Sequence, residues 1–379
     1  MEELKIALFG VGGFAANYLH VMKQPKREKL RLVGAVDPFV KECGLCPVYG
    51  SSEELYREHR PDIVILGTPI QFHAEQAIEA FEHGCHVVSE KPIAATMEEV
   101  RRMLEARDRA GKKLSVGFQL CYDPVVRAMK ADVDAGVFGK PVSLKAMVLW
   151  PRDCTYYHRG SGWAGKKFDA QGRPIFDNVL SNATAHYLMN MLYVCGAPVS
   201  SLECATYRAN PIETFDTAVM KGKSENGAEL FIAVSHAVDR GEQQDPMFEY
   251  TYEKAVIRFG GAGTRGTSLT AEFTDGQVKD YGVVYQDYGE NLWNMVDAIR
   301  EDTPIFCTGE MASWHIDALE KLRKIQPEST PFPESWITET DGLRWVPGLA
   351  KELFRCWASR ELPKWDGKAA GLDKGEGRC

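Results

Sequence analysis

Residues 5–15 read KIALFGVGGFA, and the way this stretch breaks decides the fold. Ile6, Ala7, Leu8 and Phe9 form an unbroken apolar run, which predicts a short buried strand. The run stops at Gly10, and the spacing Gly10-x-Gly12-x-x-Ala15 follows. Gly10 permits a tight turn. Gly12 lets backbone N–H groups approach a pyrophosphate at the start of the next helix, and Ala15 lets that helix pack close to the strand. Gly13 and Phe14 complete the turn. Such spacing is weak on its own. It predicts a dinucleotide site only when a strand precedes it, a helix follows it and both lie in a β-α-β unit.

The downstream residues supply that context. A helix is expected through Asn17 to Met22, and LRLVGAVDP is a second strand. SSEELYREHR, QFHAEQAIEAFEHG and TMEEVRRMLEARDRAG have helical patterning with capping serines or terminal glycines. PDIVILGTP, CHVVSEKP and KLSVGFQ alternate with them as strands. This alternation predicts an α/β fold, a Rossmann-type doubly wound parallel sheet over residues 1–122. Asp37 ends the second strand, at the spacing of an acid that bonds the adenine ribose hydroxyls. A carboxylate there repels a 2′-phosphate, which favours NAD over NADP. The alternative is a ligand-free glycine turn and an aspartate that starts a turn before Pro38.

After about residue 122 the pattern changes. A helix runs from Asp123 to about Gly136, a loop-rich segment from Pro151 to Asp177, and an apolar helix through NVLSNATAHYLMNMLYVCG. The runs SLECATYRA, DTAVMKG, AELFIAVSH, MFEYTYE and AVIRFGG follow closely, which predicts a large, mainly antiparallel sheet. Residues 123–330 are therefore expected to form an α+β domain for substrate binding and oligomerisation. Residues 331–379 form a C-terminal extension, with one helix near Gly348 to Arg360 and a mobile tail, GKAAGLDKGEGRC. An exposed face of the sheet would suit a homo-oligomer, a dimer or tetramer.

Composition narrows the partners. The 379 residues carry a net charge of −8, with 44% hydrophobic and 26% charged residues. No basic stripe points to nucleic acid or an anionic membrane, and no apolar run is long enough to span a bilayer. MEELKIALFG enters a strand at once, without the features of a signal peptide, so a cytoplasmic protein is expected. Among ten cysteines, Cys43 and Cys46 form a CxxC without a second pair or nearby histidines. No metal site is expected from them.

Two further stretches carry chemistry. In CHVVSEKPIA, residues 85–94, Lys91 stands between Glu90 and Pro92 just past a strand. Ligands bind at that edge of open α/β sheets. The alternative is a surface lysine paired with Glu90. In SNATAHYLMN, Asn182, His186 and Asn190 recur at i, i+4 and i+8, one face of a continuous helix. A polar stripe on an apolar helix predicts a face turned to a cleft, and a histidine pKa near neutrality suits a general base. The alternative is a core histidine satisfied by neighbouring backbone.

Together these elements resemble the Gfo/Idh/MocA oxidoreductases. The resemblance rests on the glycine turn, ILGTPIQFHAEQAIEAFEHGCHVVSEKPIA, VGFQLCYDP, YYHRGSGWAGK and the helix of His186, and it covers about residues 4–326. It implies an NAD-dependent dehydrogenase that moves hydride between nicotinamide and a secondary alcohol of a sugar, sugar derivative or cyclitol. By this resemblance Lys91 reaches both the nicotinamide ribose and the substrate alcohol, with a cis bond before Pro92. Glu90 would bond the nicotinamide ribose, and Thr68, Pro69, His73 and Gln119 would line the cofactor pocket. His73 would equally well cap its own helix. His186 would take the hydroxyl proton. Where the family usually has aspartate this chain has Asn182, which can bond a hydroxyl but cannot balance an imidazolium.

The loop PRDCTYYHRGSGWAGKKFDAQGRP would border the same cleft. A polyhydroxylated ring needs flat apolar faces and directional donors, so Arg152, Tyr157, Trp163 and Lys166 are candidate substrate contacts. A subunit-interface loop is the alternative. Two other functions fit the same features: an NAD-dependent glycosidase or lyase that works by transient oxidation and elimination, and a cofactor-sensing regulator on the same fold.

Overall fold

The structure is a computed structural model that describes residues 3–23, 29–159, 162–261, 268–285 and 288–364. The tail expected to be mobile lies outside the described residues. The first six strands are β1 (Leu4–Phe9), β2 (Leu30–Val36), β3 (Val48–Tyr49), β4 (Ile63–Leu66), β5 (His86–Ser89) and β6 (Leu114–Val116). They pair in parallel in the order β3-β2-β1-β4-β5-β6. Ile63, Val64, Ile65 and Leu66 of β4 are all fully buried, as a sheet covered on both faces requires. The order reverses between β1 and β4, and open α/β sheets bind ligands at the carboxyl ends of strands at such a switch point.

Helices α1 (Ala16–Lys23), α2 (Ser52–Glu58), α3 (Ile70–Glu82) and α4 (Met97–Ala110) join these strands. Their ends follow from side-chain chemistry. Ser51 caps α2 by accepting the Glu54 N–H at 3.3 Å. Thr96 and Glu99 form a full capping box on α4, and Gly111 ends it in the left-handed region at φ +61°.

This unit is not contiguous in sequence. Met1–Lys130 are joined by Phe168–Ile175 and Val284–Glu320. The physical reason is burial. Leu292, Trp293, Met295 and Val296, on the helix Glu290–Glu301, share one apolar cluster with Ile6, Leu8, Val21, Ile63 and Ile65. The chain therefore returns to cover the parallel sheet long after residue 122.

The second unit comprises Ala131–Lys167, Phe176–Val283 and the chain from Lys321 on. Its strands are β7 (Pro141–Leu149), β8 (Val199–Arg208), β9 (Thr217–Ser224), β10 (Glu229–Ser235), β11 (Gln244–Tyr252), β12 (Ala255–Phe259), β13 (Ser268–Phe273), β14 (Val278–Val283) and β15 (Thr330–Pro331). They form a nine-stranded sheet in the order β14-β13-β12-β11-β7-β10-β9-β8-β15. Pairing is parallel at β7/β10 and β15/β8 and antiparallel elsewhere, so the sheet is mixed but mainly antiparallel.

Period-two alternation assigns the two faces. One carries Tyr250 and Tyr252 toward the helix Ala185–Cys195: Asn190 Nδ2 donates to the Tyr250 hydroxyl at 3.0 Å, and the Tyr252 hydroxyl donates to the Val194 carbonyl at 3.1 Å. The other carries Met147, Leu149, Phe231 and Ala233, packed with Phe332, Val346, Leu349, Ala350, Leu353 and Cys356. The C-terminal extension thus packs its helix Leu349–Ser359 against this face. Lys145 stands with its Nζ 4.3 Å from the Trp357 ring centroid and 3.1 Å from Glu249 Oε1. Among the described residues no helix is long and apolar enough to cross a membrane.

Leu353 is fully buried in the extension's contact with the sheet. Leu353→Ala is expected to lower stability by about 2–5 kcal/mol, read from the urea midpoint. An unchanged midpoint would show that the extension adds nothing to this core.

Candidate functional site

The glycine turn is built on close backbone approach. Gly10 has φ +84°, and a Cβ there would lie 3.1 Å from the carbonyl carbon and oxygen of Gly67. A Cβ on Gly67 would lie 2.5 Å from the Cβ of Ala15. The ends of β1 and β4 and the start of α1 therefore meet where only small residues fit. At Gly12 a Cβ would meet no protein atom within 4 Å, so its bare side faces outward. Phe14 is 42% exposed and packs edge-on against Tyr288 at 5.4 Å.

Asp37 stands beside this turn. Its Oδ2 accepts the Val11 N–H at 3.2 Å, and its Oδ1 accepts those of Phe39 and Val40 at 2.9 and 3.1 Å. It therefore does start a turn, and it also touches the glycine turn. Oδ2 keeps acceptor capacity for a hydroxyl. A bare glycine backbone leading into a helix, with a carboxylate acceptor alongside, fits the pyrophosphate and ribose of NAD.

Lys91 lies in the loop after β5. It is half-buried, and its bond to Pro92 is cis, as expected. Glu90 turns into a buried network: Oε1 accepts the Tyr18 hydroxyl at 2.6 Å, and Asn291 Nδ2 donates to that hydroxyl oxygen at 2.7 Å. The Lys91 N–H donates to Oε2 at 3.4 Å. A Cβ on Gly117 would lie 3.1 Å from Glu90 Oε1, so a glycine is what leaves room for the carboxyl. Burial raises the Glu90 pKa, opposed by the Tyr18 bond and the Lys91 charge.

His73 does more than cap a helix. It is 1% exposed, with Nε2 2.8 Å from the Thr68 carbonyl and Nδ1 2.9 Å from the Pro92 carbonyl. The ring ties the loop before α3 to the loop that carries Lys91. Burial lowers its pKa, the two carbonyls pull the other way, and the Lys91 charge adds to the lowering. Thr68 donates to Gln76 Oε1 at 2.5 Å, Pro69 caps α3, and Gln119 opens the turn Gln119–Cys121 after β6.

In the second unit the polar stripe is interrupted. The helix starts at Ala185, and Asn182 lies in the turn before it. Asn178 Oδ1 accepts the Leu180 and Ser181 N–H groups at 2.9 Å, and the Thr184 hydroxyl donates to the Val179 carbonyl at 2.6 Å. These side chains satisfy the backbone in a non-helical form, which delays the helix. Asn190 is fully buried on Tyr250 and belongs to the core, not to a cleft face. His186 is half-buried in the first helical turn, and its neighbour Tyr187 meets Trp150 edge-on at 5.8 Å.

The loop residues divide. Arg152 lies 5.5 Å from the Trp150 ring centroid and 5.3 Å from that of Tyr156. Arg159 lies 3.5 Å from Tyr156 and 5.0 Å from Trp163. The Tyr157 hydroxyl is 3.1 Å from His236 Nδ1. Lys166 is exposed and lines, with Tyr157, Ile212 and Arg344, a cavity of about 540 Å³. The CxxC thiols Cys43 and Cys46 lie 3.6 Å apart, and burial pushes Cys46 up to about 12. Among the described residues no group of three or more His, Cys, Asp or Glu side chains could hold a metal.

Several residues escaped the sequence reading. Tyr18 and Asn291 bond each other across 273 positions, and neither has a local signal. Gly67 stands just before Thr68 and Pro69, where a glycine at a strand end was a usable sign. Arg159 and His236 meet Tyr156 and Tyr157 only through the fold.

Sheet order, glycine turn and Asp37 together define a dinucleotide-binding oxidoreductase fold. Residues 4–118 match the oxidoreductase family model for an NAD-binding Rossmann fold, and residues 126–258 match the GFO/IDH/MocA C-terminal domain. The chain belongs to the Gfo/Idh/MocA family of oxidoreductases. It is 27% identical over 258 residues to D-apiose dehydrogenase of Rhizobium rhizogenes, which spans 65% of this chain and 70% of that protein. It is 29% identical over 204 residues to D-glucoside 3-dehydrogenase of Escherichia coli, 52% of this chain and 55% of that one. The crystal structure of the WlbA dehydrogenase from Bordetella pertussis, in complex with NADH and UDP-GlcNAcA, matches with a TM-score of 0.72. That likeness covers 88% of this chain and 100% of the other at 23% identity, and it is a likeness of fold.

Two outcomes test this geometry. Asp37→Asn keeps an acceptor for the backbone N–H groups but removes the charge, so the preference for NAD over NADP should narrow in direct binding. An unchanged ratio would take Asp37 out of cofactor choice. Glu90 has a raised pKa, so the fold favours its protonated form; its ionisation costs stability as pH rises through that raised value. Glu90→Gln keeps an oxygen for Tyr18, and its stability relative to the parent should therefore grow from acid to neutral pH. A difference that stays flat in urea titrations across pH would refute the assignment.

Proposed function

We propose that the protein is an NAD-dependent dehydrogenase acting on a secondary alcohol of a sugar, sugar derivative or cyclitol. The observation that carries this reading is the fixed placement of Lys91 at the carboxyl edge of the NAD-binding sheet, between buried Glu90 and the carbonyl that His73 holds. The two relatives named as D-apiose and D-glucoside 3-dehydrogenases support the substrate class.

NAD, when bound, supplies the hydride acceptor. The chain's own residues handle the proton and the oxygen. The Lys91 ammonium orients the alcohol and stabilises negative charge as it develops on the oxygen, which is most effective from a preorganised donor. A ring nitrogen of His186 takes the hydroxyl proton. Asn182 bonds a neighbouring hydroxyl without adding charge. Proton to His186 and hydride to the acceptor leave a carbonyl on the reacting carbon.

Purified protein with NAD, screened against sugars, glycosides and inositols by NADH absorbance and product mass, tests the reading. Turnover without net NADH would replace it with the elimination route. His186→Ala should lower kcat by about 10²- to 10⁴-fold with little change in NAD affinity. Lys91→Met should fold, bind NAD and lose most turnover, and Lys91→Arg should recover little, because the guanidinium is wider and its charge is spread. Near-normal kcat in the methionine variant would remove Lys91 from the mechanism.

A further inference from the structure

The loop after β7 holds two arginines on one aromatic ring. Arg152 and Arg159 both have Tyr156 as a cation–π partner, at 5.3 and 3.5 Å from its centroid. Three other part-buried arginines meet acids, Arg107 with Glu310, Arg344 with Glu334 and Arg355 with Glu352, whereas Arg127 lies 3.4 Å from the Phe306 ring centroid and Arg208 donates to Ser329. Among the described residues Arg152 and Arg159 make no such ion pair. Arg152 Nη1 donates at 3.4 Å to the Pro151 carbonyl, and Arg159 Nη1 donates to the Tyr156 carbonyl. Arg152 Nε is buried with no acceptor.

A third group points the same way. His236 is 1% exposed, its Nδ1 meets the Tyr157 hydroxyl at 3.1 Å, and its Nε2 has no protein partner. When the tyrosine hydroxyl donates to Nδ1, the proton sits on Nε2 and leaves a buried donor without an acceptor. Burial, then the charges of Arg152 and Arg159, hold the His236 pKa well below its usual value, so the ring stays neutral. The carboxylates that act on Tyr156 and Tyr157 are Asp177 and Asp216. Asp177 Oδ2 accepts the Gly165 N–H at 2.7 Å. Asp216 accepts the Ala209 and Asn210 N–H groups at 2.9 and 2.8 Å and the Thr217 hydroxyl at 3.1 Å. Asp216 serves the backbone of its own loop, and Asp177 keeps its Oδ1 as a buried acceptor beside the tyrosines.

Guanidinium groups without an ion pair, an orphaned buried Nε and a buried neutral imidazole make a donor-rich site walled by Trp150 and Trp163. Such a site is complete only when an oxyanion enters, because leaving buried donors unmade is costly and guanidinium–oxyanion bonds are strong. We infer that the substrate carries a carboxylate or phosphate group, held by Arg152 and Arg159. This rests on the dehydrogenase reading for the identity of the ligand as a sugar, and on the geometry alone for its charge.

Calorimetric titration of NAD-saturated protein with D-glucuronate, D-glucose 6-phosphate and D-glucose tests it. At least one anionic sugar should bind about ten- to a hundredfold tighter than glucose. Arg159→Met should erase that margin. Arg159→Lys keeps the charge but loses the planar fork, so a phosphate margin should survive it and a carboxylate margin should not. Equal affinities, no binding by any of the three, or a margin that survives in both Arg152→Met and Arg159→Met overturns the proposal. NADH formation in the same samples separates the two readings. Anion-dependent binding without NADH sinks the dehydrogenase and keeps the site. NADH from neutral sugars alone keeps the dehydrogenase and sinks the site.

Discussion

The absent side chain of Gly67 is the constraint on which the first unit depends. With a Cβ there, Ala15 would be 2.5 Å away, and α1 could not start where it does against β4. From that contact a ring of interactions runs through the unit. Gly67 leads into Thr68, whose carbonyl meets His73; His73 meets the Pro92 carbonyl; Pro92 follows Lys91 and Glu90; and Glu90 accepts from Tyr18. Tyr18 lies on α1, just after Ala15, and the ring closes. The links are short and buried or part-buried, so the cofactor turn and the lysine loop are held by one network. Movement of one link loads the others, because interiors are packed like crystals and transmit strain.

This ring explains which parts of the site could be read from sequence. The glycine turn, the strand–helix alternation and Asp37 are local: their spacing carries the physics, and the structure keeps it. Lys91 was legible because a proline after it and a strand before it restrict the backbone. His73, Tyr18 and Glu90 act through partners far along the chain, and Asn291 joins from 273 positions away. No window of sequence contains both ends of such a bond. The same limit explains the helix of His186. Its apolar pattern extends back through Asn182, but Asn178 and Thr184 take the backbone bonds first.

The second unit shows burial overriding a boundary. The segment from Pro327 on reads as irregular because its apolar residues are sparse and broken by polar ones. Yet Phe332, Val346, Leu349 and Leu353 close one face of the nine-stranded sheet. A sheet of alternating pattern needs a cover on each apolar face. Here one cover is the helix Ala185–Cys195 and the other is the extension itself.

Two clusters, one in each unit, treat charge in opposite ways. In the first, the acid is the buried group: Glu90 is raised by burial and calmed by a hydroxyl and by Lys91. In the second, Arg152 and Arg159 are left without acids at contact, and His236 beside them is kept neutral. Asn182 follows the same logic. Where the family usually has an aspartate, this chain keeps the hydrogen-bonding shape and drops the negative charge. A carboxylate at that position would balance an imidazolium on His186, but it would also repel an anionic substrate. Removing one acid and leaving two arginines unpaired are two steps in one direction, and they are consistent with a substrate that brings its own negative charge.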